Sequence, residues 1–327
     1  MSIESTFMGL TVCSPVVVGS CGLTADIDKL VQMEQAGAGT VVLKSVLEEQ
    51  IVLDIKRNSR VVAATHAYGE AYNYLVKHNG DDLLKRQFEL IAEAKKRLSI
   101  PVVGSINCVS FESWIDYAAK FAAAGCDALE LCVDIMPYET SLSVDDVERS
   151  FSQIITALHR LVSIPVGIKV NPYFTDMAKQ MQQLSWMYID GLTLFNAPAV
   201  VDIDVESETF CMPSPEVSPS ALYNTLRWTA VLSNKVRCGI SASSGVGQPM
   251  DVVKLLLSGA KTVQVVSSLY RNGINYISTL NDGLRQWMQA KHYDRVNQFC
   301  GKMAVRDGEK ISEKMRLWYM KNYAEIG

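Results

Sequence analysis

The sequence predicts an α/β fold of the (β/α)8 barrel type, in which eight parallel strands alternate with eight helices. One short phrase recurs four times: a helix ending in small residues, a Gly or Asp-Gly turn, and a run of β-branched and apolar residues. Each copy is preceded by a second type of strand, which often opens with proline. The apolar runs alternate little, as strands buried on both faces require. An open doubly wound sheet is the alternative, but eight regularly spaced strands favour the barrel.

The predicted elements follow this repeating order along the chain. The eight strand segments are 14–20, 35–45, 100–107, 124–133, 164–171, 188–196, 236–243 and 257–267. Amphipathic helices are predicted at Ala25–Glu34, Leu83–Leu98, Glu112–Ala124, Val144–Leu161, Thr175–Met187, Ser220–Leu232, Met250–Leu257 and Tyr276–Met288. Ser110, Ser143 and Thr175 stand where helix N-caps are expected. The long connections after the second and sixth strands, 47–81 and 197–218, are predicted to be functional loops.

Length and composition fit one large barrel. The chain has 327 residues, of which 48% are apolar and 20% charged, so we expect residues 1–296 to form a single barrel. Residues 297–327 are expected to form a helical extension packed on it. The net charge of −4 provides no positive field for nucleic acid or an anionic membrane. The eight cysteines are scattered and no long apolar run occurs, so a cytoplasmic protein with reduced thiols is expected.

Polar residues stand at the ends of several predicted strands, where the mouth of a barrel lies. These residues are Lys44, Asn107, Lys169, Asn171 and Asn196. Lysine is almost never buried without a partner, so two lysines facing one cavity indicate an anionic or electron-rich ligand. The alternative is that each lysine pairs with a carboxylate such as Glu48 or Glu130.

The seventh and eighth strands end in SASSGVG (241–247) and VVSSLYRNG (265–273), both rich in small residues. Barrels bind phosphate with backbone N–H groups at this place. A phosphate on one side of the mouth, with lysines and asparagines across it, suits FMN. Phosphosugar isomerases and aldolases, with Lys169 as the amine, are the alternative from another class.

Few other catalytic motifs are present. The four histidines share no metal-ligand spacing, so no metal site is predicted. His66, within THAYGEAYNYL of the loop after the second strand, is a candidate for substrate contact. Walker, GxGxxG and nucleophile-elbow motifs do not occur.

The chain resembles the dihydroorotate dehydrogenase superfamily of FMN barrels, and within it a dihydroorotate dehydrogenase-like branch. The resemblance covers nearly the whole chain and is carried by SPVVVGSCG, VVLKSVLEEQI, IPVVGSINCVSFESWIDYAAKFAAAGCDALEL, IPVGIKVNPYFTDMAKQM, DGLTLFNAP with DIDVE, and GISASSGVGQPMDVVKLLLSGAKTVQVVSSLYRNG. It implies that FMN is bound by Gly19, Ser20, Lys44, Lys169, Asn196, Ser244, Gly245, Val266 and Ser267. Asn107 is a further cofactor-binding candidate.

The substrate half of the resemblance is altered. In dihydroorotate dehydrogenases the loop after the fourth strand carries a Cys or Ser that removes the C5 proton while the flavin takes hydride from C6. The corresponding residue here is Ile135, which cannot accept a proton. The substrate loop is His66-Ala67-Tyr68-Gly69-Glu70, which keeps the glycine and loses the asparagines, and Ser244 and Val266 replace smaller residues.

Another group must therefore serve as acid or base if the chemistry is retained. Asp134 is the first candidate, because burial in a partly dry mouth would raise the pKa of a carboxylate. Cys132 is the second and would lie on the same side of the strand. Lys44, through its charge, and His66 are further candidates, and Tyr68 and Cys211 lie on loops predicted at the same face.

The resemblance, together with these residues, implies an FMN-dependent oxidoreductase acting on CH–CH groups. By resemblance its reaction is dihydroorotate to orotate, in pyrimidine biosynthesis. Alternatives are a different small ring substrate, a flavin-binding barrel without dihydroorotate turnover, or a phosphosugar enzyme using Lys169. The substrate is expected to be a small anionic or amide-bearing ring, and the sequence leaves open a homodimer and a separate electron-transfer partner.

Overall fold

The computed structural model describes residues 1–53, 81–135, 143–197, 201–211, 220–306 and 308–324. It contains a closed ring of eight parallel strands, so the predicted (β/α)8 barrel is confirmed. The ring strands are β3 (Val16–Val18), β4 (Thr40–Val42), β6 (Val102–Asn107), β7 (Ala128–Val133), β8 (Val166–Val170), β9 (Gly191–Leu194), β12 (Gly239–Ser243) and β13 (Thr262–Val265). Pairing of β4 with β6 closes the ring, in the register Val41↔Val102 and Val42↔Val103. A two-residue strand, β5 (Val46–Leu47), continues along β6.

The helices surround this ring. They are α1 (Ile27–Gln35), α2 (Asp81–Arg97), α3 (Phe111–Ala124), α4 (Val144–Leu161), α5 (Met177–Trp186), α6 (Ala221–Leu232), α7 (Pro249–Leu257), α8 (Ser267–Asn272), α9 (Tyr276–Ala290) and α10 (Ile311–Ala324). All eight predicted helices are present, and α4 has the predicted bounds. The short helix α8, which starts directly after β13, was not predicted.

Two of the three predicted caps are confirmed. The Ser110 hydroxyl accepts from the N–H of Ser113, and Ser143 forms a capping box with Asp146. The predicted cap at Thr175 is wrong, because Asp176 is the N-cap of α5 and its side chain makes no capping hydrogen bond. The helix starts later than predicted, so Thr175 lies outside it.

A hairpin that the sequence did not indicate closes the N-terminal end of the barrel. Strands β1 (Ser5–Phe7) and β2 (Leu10–Val12) pair antiparallel, and Met8 between them is buried in a small core with Val17, Val42 and Val103. Their strand neighbours Val16, Val18, Val41 and Val102 belong instead to the large core between strands and helices. Alternation along each strand therefore fills the barrel on one side and packs the helices on the other.

Gly167 and Gly191 make room for this hairpin. A Cβ atom on Gly167 would collide with the Met8 methyl group, and a Cβ on Gly191 would lie 3.0 Å from Met8 Cγ. The glycines at these strand positions are therefore a packing requirement of the Met8 side chain.

The long connections and the C-terminal extension are partly described. Most of the predicted loop 47–81 lies outside the described residues. The second loop contains an exposed hairpin of β10 (Asp202–Asp204) and β11 (Thr209–Cys211). After α9 the chain runs along α6 and α7, where the N–H groups of Gly301 and Val305 donate to the carbonyls of Leu256 and Ala230. None of the described helices has the length and hydropathy needed to cross a membrane.

Glu48 ties the end of β5 to the start of α3. Its Oε2 atom accepts from the N–H groups of Val109 and Ser110, at 2.7 and 2.9 Å, and its Oε1 accepts from the Ser110 hydroxyl. Burial alone would raise the pKa of Glu48, but the hydrogen bonds from Ser110 and Val109 outweigh it and lower the pKa below its usual value of 4.5. The carboxylate caps the helix N-terminus, so it is not the partner of Lys44 that the sequence allowed.

This contact predicts a specific pH dependence of stability. Because the pKa of Glu48 is lowered in the folded chain, its contribution is fully present above about pH 4.5 and is lost as the pH falls through the folded pKa. Unfolding free energies from urea titrations should show Glu48→Gln less stable than wild type at pH 7, with the difference shrinking towards pH 3. The exposed neighbour gives the control Glu49→Gln. A difference between wild type and Glu48→Gln that is independent of pH would contradict the assignment.

Candidate active site

A cavity of about 410 Å³ opens at the C-terminal ends of the barrel strands. Its lining comes from the ends of β3, β8, β9, β12 and β13 and from α8. The lining residues are Ser20, Lys169, Asn196, Ala197, Ser243, Ser244, Gly245, Val246, Gln264, Val266, Ser267, Tyr270 and Arg271. Seven of the ten residues predicted to bind the cofactor are therefore brought together here; Gly19, Lys44 and Asn107 are not in the lining.

The turn after β12 has an unusual backbone. Ser244 and Gly245 both adopt positive φ, at 89° and 77°, which L-residues other than glycine rarely do. The Ser244 hydroxyl donates to the Phe195 carbonyl at 3.2 Å. A Cβ atom on Gly245 would lie 2.8 Å from Leu222 Cα and closer still to its backbone N, so only glycine fits against the start of α6.

Helix α8 forms the opposite wall of the same end of the cavity. Its first N–H groups, beginning with Ser267, have no acceptor within the helix. Arg271 and Tyr270 project from the helix into the lining. Sequence reasoning missed both residues, although the quoted stretch VVSSLYRNG contains them and an arginine beside a predicted phosphate position was the available signal.

Tyr270 connects this wall with the loop after β3. Its pKa is raised by burial and by the neighbouring Cys21, and its hydroxyl lies against Gly22, where an added Cβ would come within 3.0 Å. Gly19 is equally confined, because a Cβ there would lie 2.9 Å from Val266 Cγ2. Gly19 and Val266 thus pack against each other at the edge of the cavity.

Lys169 reaches the cavity from inside the barrel. Its ammonium donates to Gln264 Oε1 at 3.0 Å and lies 3.7 Å from Glu130 Oε1. Pairing with Glu130 was one of the two alternatives that the sequence left open, and here Lys169 both pairs and lines the cavity. Glu130 lies within β7, not in a loop.

Ser45, not Lys44, faces the barrel mouth. The Ser45 hydroxyl lies 3.0 Å from that of Ser20 and 2.6 Å from that of Ser105. Neighbouring residues of an extended segment point to opposite sides, and Lys44 is exposed with its carbonyl accepting from Gln87. The predicted role of Lys44 at the flavin stays a prediction that this geometry does not favour.

The acid–base candidates differ strongly in environment. Asp134 is exposed, not buried in the mouth as the sequence predicted, and its Oδ1 accepts from Asn171 Nδ2 at 2.9 Å. Cys132 is buried, and burial raises the pKa of its thiol to about 12 although Lys169 acts in the opposite direction. Asn107 beside this thiol acts, like Lys169, to lower its pKa. Ile135 packs against the large core.

The remaining acid–base candidates belong to the two long connections. His66 and Tyr68 lie outside the described residues. Cys211 is exposed on β11. Among the described residues no group of three or more His, Cys, Asp or Glu side chains could hold a metal ion.

One barrel mouth is surrounded by the turn of Ser244 and Gly245, the buried Lys169 and Asn196. This arrangement is typical of a barrel enzyme that binds a phosphate-bearing cofactor. Comparison with known proteins identifies its family. The family model for dihydroorotate dehydrogenase matches residues 2–288. The chain therefore belongs to the dihydroorotate dehydrogenase family.

Individual relatives are distant, and two of those named below match more than nine tenths of this chain. The catalytic subunit of dihydroorotate dehydrogenase B (NAD(+)) from Pyrococcus furiosus is 24% identical over 312 residues, covering 92% of this chain and 98% of that protein. The subunit of the same name from Thermoplasma volcanium is 21% identical over 314 residues, covering 91% and 97%. The fumarate-type dihydroorotate dehydrogenase of Lachancea kluyveri is 26% identical over 163 residues, covering 46% and 51%.

Family membership defines the class of enzyme. Members of this family are FMN-dependent oxidoreductases that act on CH–CH groups, and this class includes the present chain. The alternative of a phosphosugar enzyme loses its support, because it depended on Lys169 and on the turn after β12, and both belong to a chain of the flavin-dependent family.

The turn at Gly245 gives a test of the cavity. Gly245→Ala combines positive-φ strain with a collision against Leu222, so it should displace the turn and weaken FMN binding by about tenfold or more. Gly125→Ala is the matched control: Gly125 has φ 94° but nothing within 4 Å of the added Cβ, so it should cost only about 1–2 kcal/mol of stability. Fluorescence titration with FMN and urea unfolding measure the two effects. Equal FMN affinity in both variants would show that the turn does not contact the cofactor.

Proposed function

We propose that this enzyme oxidises a small ring carrying an anionic or amide group, and that dihydroorotate, converted to orotate, is the first candidate substrate. The observation that carries the proposal is the cavity, which gathers Lys169, Asn196 and the Ser244–Gly245 turn at one barrel mouth. Its volume of about 410 Å³ lies in the range of cofactor and ligand sites.

The residues around the cavity suit FMN. The phosphate would be held at the turn of Ser244 and Gly245 and at the start of α8, where the N–H groups of Ser267 and Ser268 precede the first helical hydrogen bonds to the Val266 carbonyl. Arg271 adds a positive charge to this end of the lining. Because Gly245 has no side chain, which would collide with Leu222, the turn can pack closely against the start of α6.

The other end of the cavity suits the redox part of the cofactor. Bound FMN supplies the hydride acceptor. Lys169 brings a positive charge to the cavity, where it stabilises negative charge that develops during reduction. Asn196, which follows β9, offers amide donor and acceptor groups to the same space.

Asp134 is the proposed proton acceptor. Its carboxylate is held by Asn171, a residue 1% exposed whose own Oδ1 accepts from the N–H of Tyr173. Asn171 follows the end of β8 and is two residues beyond Lys169 in sequence. Its hydrogen bond therefore holds the Asp134 carboxylate near the end of β8. The Cys132 thiol, with its pKa raised to about 12, stays protonated near neutral pH and is a poorer base.

One observation favours a second candidate function. By the family resemblance Ile135 stands at the position of the catalytic base, and its side chain packs against the core, so a flavin barrel that acts on another ring, without dihydroorotate turnover, is the competing proposal. The two differ in whether dihydroorotate reduces the bound flavin.

Anaerobic stopped-flow mixing with dihydroorotate tests this proposal. The flavin absorbance of the wild type should bleach, and Asp134→Asn should slow bleaching by about 10²–10⁴-fold because the proton acceptor is removed. Cys132→Ala should bleach at close to the wild-type rate. Wild-type flavin that dithionite reduces but dihydroorotate does not would favour the second candidate, and a loss confined to Cys132→Ala would make the thiol the base.

We also propose that the chain forms a homodimer through its C-terminal flank. A groove of about 910 Å³ runs between α6, residues 302–306 and α10, with Met303, Tyr223 and Trp318 more than half exposed. Five cationic side chains and one carboxylate line it: Arg227, Lys254, Lys302, Arg306, Lys314 and Glu309. The β10–β11 hairpin carries the complementary chemistry, with exposed Ile203 and Phe210 paired across the strands and Glu206 and Glu208 at its turn.

A two-fold axis makes contacts reciprocal, so each hairpin would occupy the groove of the partner subunit. Analytical ultracentrifugation should give twice the chain mass of 36.1 kDa. Glu206→Lys/Glu208→Lys should give monomers, and adding Arg227→Glu/Lys314→Glu should restore the dimer. Glu89→Lys/Glu93→Lys on α2 is the matched control. A monomeric wild type, or a dimer indifferent to the hairpin charges, would contradict the proposal.

A further inference from the structure

The interior of the barrel below the cavity contains four buried polar side chains from four different strands. They are Glu130 on β7, Lys169 on β8, Thr193 on β9 and Gln264 on β13. Glu130 is fully buried and Lys169 is 7% exposed. Such a cluster is costly to bury unless its groups satisfy one another.

Glu130 is only half satisfied within the described residues. Its Oε2 atom accepts from Thr193 Oγ1 at 2.7 Å and from Gln264 Nε2 at 2.6 Å. Its Oε1 atom has no hydrogen-bond partner, and the nearest cation, Lys169 Nζ, lies 3.7 Å away. Oε2 is thus held by two hydrogen bonds, whereas Oε1 interacts with Lys169 only through their opposite charges.

Gln264 links the acid and the base. Its Oε1 accepts from Lys169 at 3.0 Å while its Nε2 donates to Glu130, so the orientation of the amide is fixed from both ends. Lysine has three donors, and Gln264 takes one of them. Lys169 also lines the cavity. Its other two N–H donors and its positive charge are therefore shared between Glu130 and a ligand in the cavity.

Stability does not explain this arrangement. A buried ion pair is weak evidence for stabilisation, since apolar residues of similar volume serve as well or better. The lower part of the same barrel interior, around Met8, Val17 and Val103, is packed with apolar side chains. The acid and the base are retained only next to the cavity, which points to a role there.

We propose that Glu130 is a positioning residue that holds Lys169 at the cavity and balances its charge, and thereby sets the reduction potential of the bound flavin. This inference rests on the proposed binding of FMN in the cavity. In a low-dielectric interior an unbalanced charge acts strongly over a few ångströms. With Glu130 present, the positive charge available to the reduced cofactor is smaller than that of Lys169 alone.

This balance predicts shifts of opposite sign. Glu130→Gln leaves Lys169 uncompensated, so reduced FMN should bind more tightly relative to oxidised FMN and the potential should rise. Lys169→Met leaves the negative charge of Glu130 uncompensated and should lower the reduction potential. The double variant removes both charges and should return close to the wild-type value. Each single change should alter the ratio of the two FMN dissociation constants by about tenfold or more.

Equilibration with redox dyes measures these potentials without any substrate. The control is Glu48→Gln, which removes a carboxylate from the same face of the barrel but from the cap of α3. It should leave the potential unchanged. If a single variant folds poorly, the double variant still tests the balance, because removal of both charges leaves no uncompensated group.

Thermal unfolding without flavin is the second measurement. Each single change should destabilise the chain, and the double change should destabilise it by less than their sum, because the two charges are coupled. A Glu130→Gln potential that is unchanged, or that moves in the same direction as Lys169→Met, overturns the role of Glu130. A wild-type chain that takes up no flavin overturns the proposed cofactor site instead, so the two failures are distinguishable.

Discussion

The site depends on closure of the strand ring. The pairing of Val41 and Val42 with Val102 and Val103 joins the ends of the sheet, and only then do the C-terminal ends of all eight strands meet around one mouth. Glu130 and Gln264 are 134 residues apart in sequence and lie on strands that are not neighbours in the ring. Their hydrogen bond across the interior exists because the ring is closed, and the position of Lys169 follows from it.

Closure also divides the interior into two parts with different chemistry. At the N-terminal end the β1–β2 hairpin inserts Met8 among apolar side chains, and Gly167 and Gly191 are small because of it. At the other end the interior is polar, and part of its polarity is unsatisfied at Glu130 Oε1. Stability is supplied by the apolar half and by the helices outside, so the polar half is free to serve a ligand.

The sequence predicted the barrel because each strand–helix unit carries its own local signals. Buried apolar runs, glycine turns and caps such as Ser143 are legible within a few residues. The β1–β2 hairpin was missed because its three-residue strands are too short for any periodicity. Thr175 was misplaced as a cap because helix starts vary by a residue or two without cap geometry.

The site was predicted where it depends on strand ends and missed where it depends on side-chain direction. Lys169, Asn196 and Ser244 line the cavity and are indicated by the sequence because they stand at or just after the ends of buried strands. Lys44 is predicted at the mouth, where the structure has Ser45, because the sequence alone does not say which of two neighbouring residues points inward. Gln264 is the clearest omission: inside the buried run TVQVV its amide looks like one polar residue in a strand, and only the closed ring shows that it joins Glu130 to Lys169.

The central claim is that the cavity at the barrel mouth holds one FMN, and gel filtration after incubation with excess FMN tests it most directly. The account predicts that wild-type protein leaves the column yellow, with one flavin for each chain, and that Gly245→Ala leaves it largely colourless. Wild-type protein that emerges without flavin, or Gly245→Ala that retains as much as the wild type, would contradict it.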